Sequence, residues 1–157
     1  MDVSARDARA DDLPEVAELA MALTATLREQ RGGAVWYGMH GRTDPVIDAL
    51  RTSLAEDHQI VAVGMIDGTI VGYAVAYEQQ LIDGATIAAI PDLFVMEAAR
   101  GVGVGSALMN HLTDWALGRG LDGLDSLALP GDRATKNFFE SFGLVARAIS
   151  VYRALKP

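Results

Sequence analysis

Three alternate glycines, Gly101, Gly103 and Gly105, sit in LFVMEAARGVGVGSALMNHL, where an apolar run from Leu93 passes into an amphipathic stretch ending at Leu112. Residues without a Cβ leave their backbone N–H groups open to close approach. A helix starting just behind them adds unpaired N–H donors and roughly half a positive charge. The chemistry this suits is the holding of a phosphate, with Arg100 beside it. The plain alternative is a tight strand-to-helix turn with no ligand. A P-loop is excluded because no Gly-Lys-Ser/Thr follows. A dinucleotide fingerprint needs glycine at its sixth position, where GVGVGS has Ser106. That fingerprint also opens a parallel sheet, whereas this loop follows an antiparallel hairpin pattern. Only the spacing of Asp122 or Asp125, suitable for a ribose contact, speaks for it.

Other reactive side chains are sparse. His40, His58 and His111 show no metal-ligand spacing, and the absence of cysteine removes thiolate metal sites, disulfides and a cysteine nucleophile. Asp92, near the end of the third strand run, and Glu78, just past the second hairpin strand, are carboxylates close to that strand end.

The elements that must position these residues follow from periodicity. DVSARDA reads as a short strand. Asp12, Pro14 and Glu15 then start a helix whose Val16, Leu19, Ala20, Leu23 and Leu27 share one stripe. QRGGAVWYGMHGR, rich in glycine and without sustained period, reads as a loop, and Asp44-Pro45 restarts a helix carrying Ile47, Leu50 and Leu54 inward. Two β-rich runs flank Asp67-Gly68, a hairpin turn pair. ATIAAIPDLFVM is a third strand in which Pro91 marks a bulge, bend or edge. Val104, Leu108, Leu112 and Trp115 lie on a helix closed by GRGLDG; LDSLALP is a strand, Asp132 to Phe142 a capped helix, and the alternating tail LVARAISVYRAL a final strand. The order is α+β, with one strand-helix-strand unit embedded in an antiparallel run.

With 157 residues, half of them hydrophobic, the chain is expected to form one soluble domain over 1–157. No apolar run is long enough to cross a bilayer, and the charged start MDVSARDARADDLPEV differs from a secretory signal, so a cytoplasmic location without membrane attachment is expected. A net charge of −8 opposes broad nucleic-acid binding and suits small cationic partners, although surplus acid also serves solubility alone.

RGVGVG, Arg100 to Gly105, resembles the acetyl-CoA loop Gln/Arg-x-x-Gly-x-Gly/Ala of the GNAT superfamily of acyl-CoA-dependent N-acyltransferases. Leu93 and Val95 match that family's Leu-x-Val strand end. DRATKNFFESFGL is similar to its second signature, a polar cap and an aromatic helix closing on Gly-Phe, here reading Phe142-Gly143-Leu144 around Gly143. The element order matches along nearly the whole chain. The resemblance implies an α+β, three-layer (α/β) fold: a central mixed, largely antiparallel sheet, splayed between two parallel strands and flanked by helices. It also implies acetyl transfer from acetyl-CoA to a primary amine of a small molecule or protein, by direct attack in a ternary complex with no metal. A homodimer is compatible with it.

By the same resemblance, the pantetheine arm runs along the backbone of Leu93, Phe94 and Val95. The pyrophosphate meets Arg100 and the loop Gly101, Val102, Gly103, Val104, Gly105 and Ser106, while Asp132, Lys136 and Phe139 border the cofactor from the next helix. The Val95 amide is the oxyanion donor. Where the family carries its usual general-acid tyrosine, four residues before the signature glycine, this chain has Phe139. Thr135, one turn earlier, is a substitute donor, with Tyr73, Tyr77 and Tyr152 as further ones. The base is sought at Asp92, if a bulge at Pro91 re-aims it, or at Glu78. Trp36 and Tyr37 would rim the acceptor by cation–π attraction. A reading from another class is a CoA- or acyl-CoA-binding module that has lost efficient chemistry.

Overall fold

The computed structural model describes residues Met1–Pro157. In chain order the elements are β1 (Val3–Asp7), α1 (Leu13–Glu29), α2 (Gly33–His40), α3 (Val46–Ala55), β2 (Gln59–Ile66), β3 (Thr69–Gln80), β4 (Thr86–Val95), α4 (Val104–Gly118), β5 (Leu124–Ser126) and α5 (Arg133–Ser141). The five strands form one sheet in sequence order. β1 to β4 are antiparallel neighbours and β5 lies parallel to β4. This is the mixed, helix-flanked sheet expected from the sequence.

The period-two alternation of β2 and β3 divides their side chains between two cores. Val61, Val63, Tyr73 and Val75 face α1 and α3, meeting Leu13, Val16 and Leu50. Ile60, Ala62, Ala74 and Ala76 face the other way, meeting Val104, Leu108 and Leu112 of α4 and Phe139 of α5. Between β2 and β3, Asp67 and Gly68 both take positive φ, 49° and 82°, as a two-residue hairpin turn matched to strand twist requires.

Four local expectations are corrected. Asp12 does precede α1, but its side chain makes no cap bond; it takes a bidentate pair from Arg6, at 2.7 and 3.2 Å, and the Arg9 amide. The second proline-marked helix begins at Val46, with Pro45 itself in the capping position. The glycine-rich stretch expected as a loop is helix α2. Gly33 serves close packing: a Cβ there would lie 1.9 Å from the Leu27 carbonyl oxygen of α1, whereas Gly38 faces open space. Finally, the tail after Leu144 forms no strand. Beyond the bond from the Leu144 amide to Phe139 it makes no backbone hydrogen bond, although its Arg147 side chain pairs with Asp125 of β5.

Candidate active site

The sheet opens between its two parallel strands. β4 and β5 pair only over Ala88–Ile90 against Leu124–Ser126. Pro91 then has no N–H to continue the ladder, and the Ile90 carbonyl is taken by the Ser126 hydroxyl at 2.8 Å. On the other side of β4 an extra residue is accommodated opposite Val75 to Tyr77, which places the bulge at Ile90–Pro91. Past it, register with β3 is regular: Asp92, Leu93, Phe94 and Val95 face Val75, Ala74, Tyr73 and Gly72. The Met96 amide bonds Val71 of β3, so alternation turns the N–H groups of Leu93 and Val95 away from β3 and into the gap.

At the end of that gap lies the glycine loop. Gly101 and Gly103 hold φ of +83° and +102°, and α4 begins immediately behind Gly103. A Cβ added at either would meet nothing within 4 Å. The bare backbone therefore faces open space, into which the first turn of α4 also directs unpaired N–H groups. Gap and loop share one cavity of about 570 Å³, which brings together Leu93, Phe94, Val95, Arg100, Gly101 and Gly103. Val104, Gly105, Ser106, Asp132, Thr135 and Phe139 complete that wall. Arg100 does not stand free in solvent: its Nε donates to the Val95 carbonyl at 2.8 Å, and its guanidinium lies 5.5 Å from the Phe94 ring centre. The Val95 carbonyl is thereby occupied while its N–H stays open.

Several expected residues are elsewhere. Val102 belongs to the loop but points outward, 40% exposed. Lys136 turns to Glu140 at 2.5 Å, one turn along α5. Glu78 lies inside β3, not beyond it, and pairs with Arg119 at 2.5 Å near the far end of the sheet. Asp92 is not re-aimed into the cavity; it is buried on the α1 side, accepting from the Tyr73 hydroxyl and, at 2.5 Å, from Arg42. One face of the Tyr37 ring is taken by Arg28, whose guanidinium sits 4.1 Å from the ring centre. Thr135 lines the cavity, but its hydroxyl proton goes to Asp132 at 2.7 Å. Asp132 caps α5 through the Thr135 amide, as its place in the sequence suggested.

The structure adds lining residues from α1 and its end, Leu23, Thr26, Leu27 and Gln30. The Gln30 Oε1 is buried without a hydrogen-bond partner. Their helical spacing placed Leu23 and Leu27 on a core stripe, and nothing local in the sequence marked Gln30.

The buried Arg42–Asp92–Tyr73 set ties the α2–α3 connection to β4 just before the open amides. Burial pushes the Tyr73 phenol well above its usual range, and the neighbouring Asp92 charge adds to that. A folded-state value above the unfolded value of about 10 means the neutral phenol's stabilisation is complete below about pH 10 and is lost as pH rises further. Tyr73→Phe is thus expected to lower stability by about 1.5–3 kcal/mol, the range for a hydrogen bond to a charged group. Urea unfolding across pH should show that deficit constant near neutrality and narrowing above about pH 10.

A mixed sheet whose parallel pair separates beside a helix opening on a bare glycine turn is the scaffold of an acetyltransferase-family fold. The chain belongs to the acetyltransferase (GNAT) family, which it matches over residues 22–144. Solved structures share the fold across the whole length. A tetramutant of the BH1408 protein from Bacillus halodurans superposes with a TM-score of 0.81 at 20% identity, covering 99% of this chain and 100% of that one. An aminoglycoside acetyltransferase from an uncultured soil metagenomic sample, in complex with sisomicin, gives 0.72 at 20% identity, covering 98% and 97%. A ribosomal-protein-alanine N-acetyltransferase from Brucella melitensis gives 0.71 at 19% identity, covering 99% and 100%. None of the curated proteins compared matches the chain. No helix is long and apolar enough to cross a membrane.

Proposed function

We propose that the protein is a cytoplasmic N-acetyltransferase that passes the acetyl group of acetyl-CoA to a primary amine of a small molecule or protein, by direct attack in a ternary complex. The observation that carries this reading is the single cavity in which positive-φ glycine amides meet the unpaired N–H groups of Leu93 and Val95. The donor set fits the substrate. Amides of Gly103, Val104, Gly105 and Ser106, with the field of α4, suit a diphosphate, and the guanidinium nitrogens of Arg100 not bonded to Val95 add charge. The backbone groups of Leu93 and Val95 suit the amide-bearing pantetheine arm, and the Val95 N–H is placed to stabilise the oxygen that gains charge during attack. No metal takes part.

The incoming amine must lose a proton. With Asp92 and Glu78 turned away, Asp132 is the one carboxylate lining the cavity, and it accepts the Thr135 amide and hydroxyl. We assign proton removal to water held there, with Gln30 Oε1 available to orient the amine. The acidic net charge draws cationic acceptors and repels nucleic acid. The named activities of the structural neighbours, on aminoglycosides and on a ribosomal protein, span both acceptor classes.

Phe139 favours one second reading, a CoA- or acyl-CoA-binding module without turnover, since its ring occupies the wall where a proton donor is wanted. Supplying acetyl-CoA with a panel of polyamines, aminoglycosides, amino acids and peptides separates the two. A thiol reagent reports released CoA without background, because the chain has no cysteine. Release above hydrolysis for at least one amine is expected; binding of acetyl-CoA with no release for any of them would leave the module reading standing.

A further inference from the structure

The cavity that holds the open amides changes chemistry from one wall to the other. Its glycine wall is polar backbone. The wall supplied by the last turns of α1 carries Leu23, Thr26, Leu27 and Gln30, at the i, i+3, i+4 and i+7 spacing of one helix face. Two residues further on, Gly32 has reached the β5 side of the molecule, where a Cβ on it would lie 4.0 Å from Leu129. Leu127, just past β5, lines the same cavity.

Three features define what this wall can hold. It is apolar: Leu23, Leu27 and Leu127 line it, and Leu127 keeps 52% of its surface exposed. It is uncharged. The only charged residues lining the cavity are Arg100 and Asp132, and both Asp132 oxygens are engaged by Thr135. Its hydroxyl protons are spent, with Thr26 donating to the Ala22 carbonyl and Ser126 to that of Ile90. What remains is one acceptor without a donor, the buried Gln30 Oε1, and such an atom calls for a single N–H group. The carboxylates of Glu15, Glu18 and Glu97 line a separate groove that shares only Phe94 with this cavity.

We infer that the acceptor is a primary monoamine on an uncharged apolar body, an alkyl- or arylalkylamine rather than a polyamine or an aminoglycoside, and that Leu27 and Gln30 select it. The inference rests on the acetyl-transfer reading and narrows it. A second ammonium group carried against this wall loses its hydration and meets no counter-charge, which is costly. An alkyl or aryl group there is stabilised by the apolar surface it covers. The net charge of −8 acts earlier, drawing any ammonium ion to the molecule without choosing among the bodies that carry it. An acyl chain longer than acetyl would also suit Leu23 and Leu27, but it brings no N–H to Gln30 Oε1.

Hexylamine and hexamethylenediamine differ only in the second ammonium group. With acetyl-CoA as donor, kcat/KM for hexylamine should exceed that for the diamine by about 10-fold or more, the scale on which a pocket separates substrates by one group. Spermidine and kanamycin should do no better than the diamine. Leu27→Glu supplies the missing carboxylate at a half-buried position outside both cores and should reverse the order of the two amines. A merely structural loss would lower both rates together. Glu18→Gln, in the neighbouring groove, should leave the order as it is. Equal or faster turnover of the diamine by the wild type, faster transfer from hexanoyl-CoA than from acetyl-CoA, or an order that folded Leu27→Glu leaves unchanged would overturn the inference while acyl transfer stands. If Leu27→Glu fails to fold, the wild-type ratio still decides. Release of CoA for no amine at all would remove the acetyl-transfer reading and this inference with it.

Discussion

Gly103→Ala is expected to weaken acetyl-CoA binding about 100-fold or more, measured by calorimetry, while leaving the protein folded. Gly103 holds φ +102° and caps α4, and a Cβ there meets no protein atom within 4 Å. The methyl group would therefore occupy the space above the loop rather than disturb the core. That is the space a phosphate must enter to reach the amides of the loop and the first turn of α4. Losing two charge-assisted hydrogen bonds at about 1.5–3 kcal/mol each exceeds the roughly 2.7 kcal/mol of a 100-fold change. Backbone strain accompanies the substitution, because an L-residue in the left-handed region costs about 1–2 kcal/mol. Gly68→Ala supplies the control: φ is +82°, the surroundings are equally open, and the position is a hairpin turn away from the cavity. Both variants should lose comparable stability, but only Gly103→Ala should lose affinity. Unchanged affinity in folded Gly103→Ala would remove the phosphate assignment and with it the proposed function.

The glycine loop was legible because its physics is local: alternate glycines, a following helix and a preceding strand end all lie within one stretch. The same holds for the Asp67-Gly68 turn and for the Asp132 cap of α5. What escaped was set by partners distant in sequence. Alternation correctly placed Asp92 on the face away from the cavity, but nothing near it announced Arg42, fifty residues earlier, or the Tyr73 hydroxyl. Glu78 read as a free carboxylate until folding brought Arg119 to it across 41 residues. Lys136 had a nearer competitor in Glu140, an i,i+4 pair that its helix makes without reference to any ligand. In α2 one of the glycines that signalled a loop, Gly33, permits contact with α1, so packing overrode propensity. The tail shows the reverse case: its pattern is that of a strand, yet only the Arg147 side chain meets the edge strand β5, and no backbone ladder forms.

Phe139→Tyr should raise turnover about 10- to 100-fold with acetyl-CoA affinity unchanged within about twofold. Phe139 lines the same cavity as Val95, which carries the open amide, is 9% exposed, and belongs to the same buried cluster. A hydroxyl added to that ring introduces a proton where the departing thiolate needs one. General acid catalysis by one positioned group contributes about 10²–10⁴-fold. A donor placed without its supporting hydrogen bonds recovers the lower part of that range. The proton transfer itself is only mildly uphill, since a phenol near pKa 10 and a thiol near 8.5 differ by about 1.5 units. Thr135 does not already fill this role, its proton being held by Asp132. Phe138→Tyr separates position from polarity: that ring also lines the cavity but lies under Gly105, 3.1 Å from where its Cβ would be, at the phosphate end. A hydroxyl there should leave turnover unchanged. If Phe139→Tyr binds acetyl-CoA normally and turns over no faster, the ring does not face the sulfur, and the departing thiolate must take its proton from water alone.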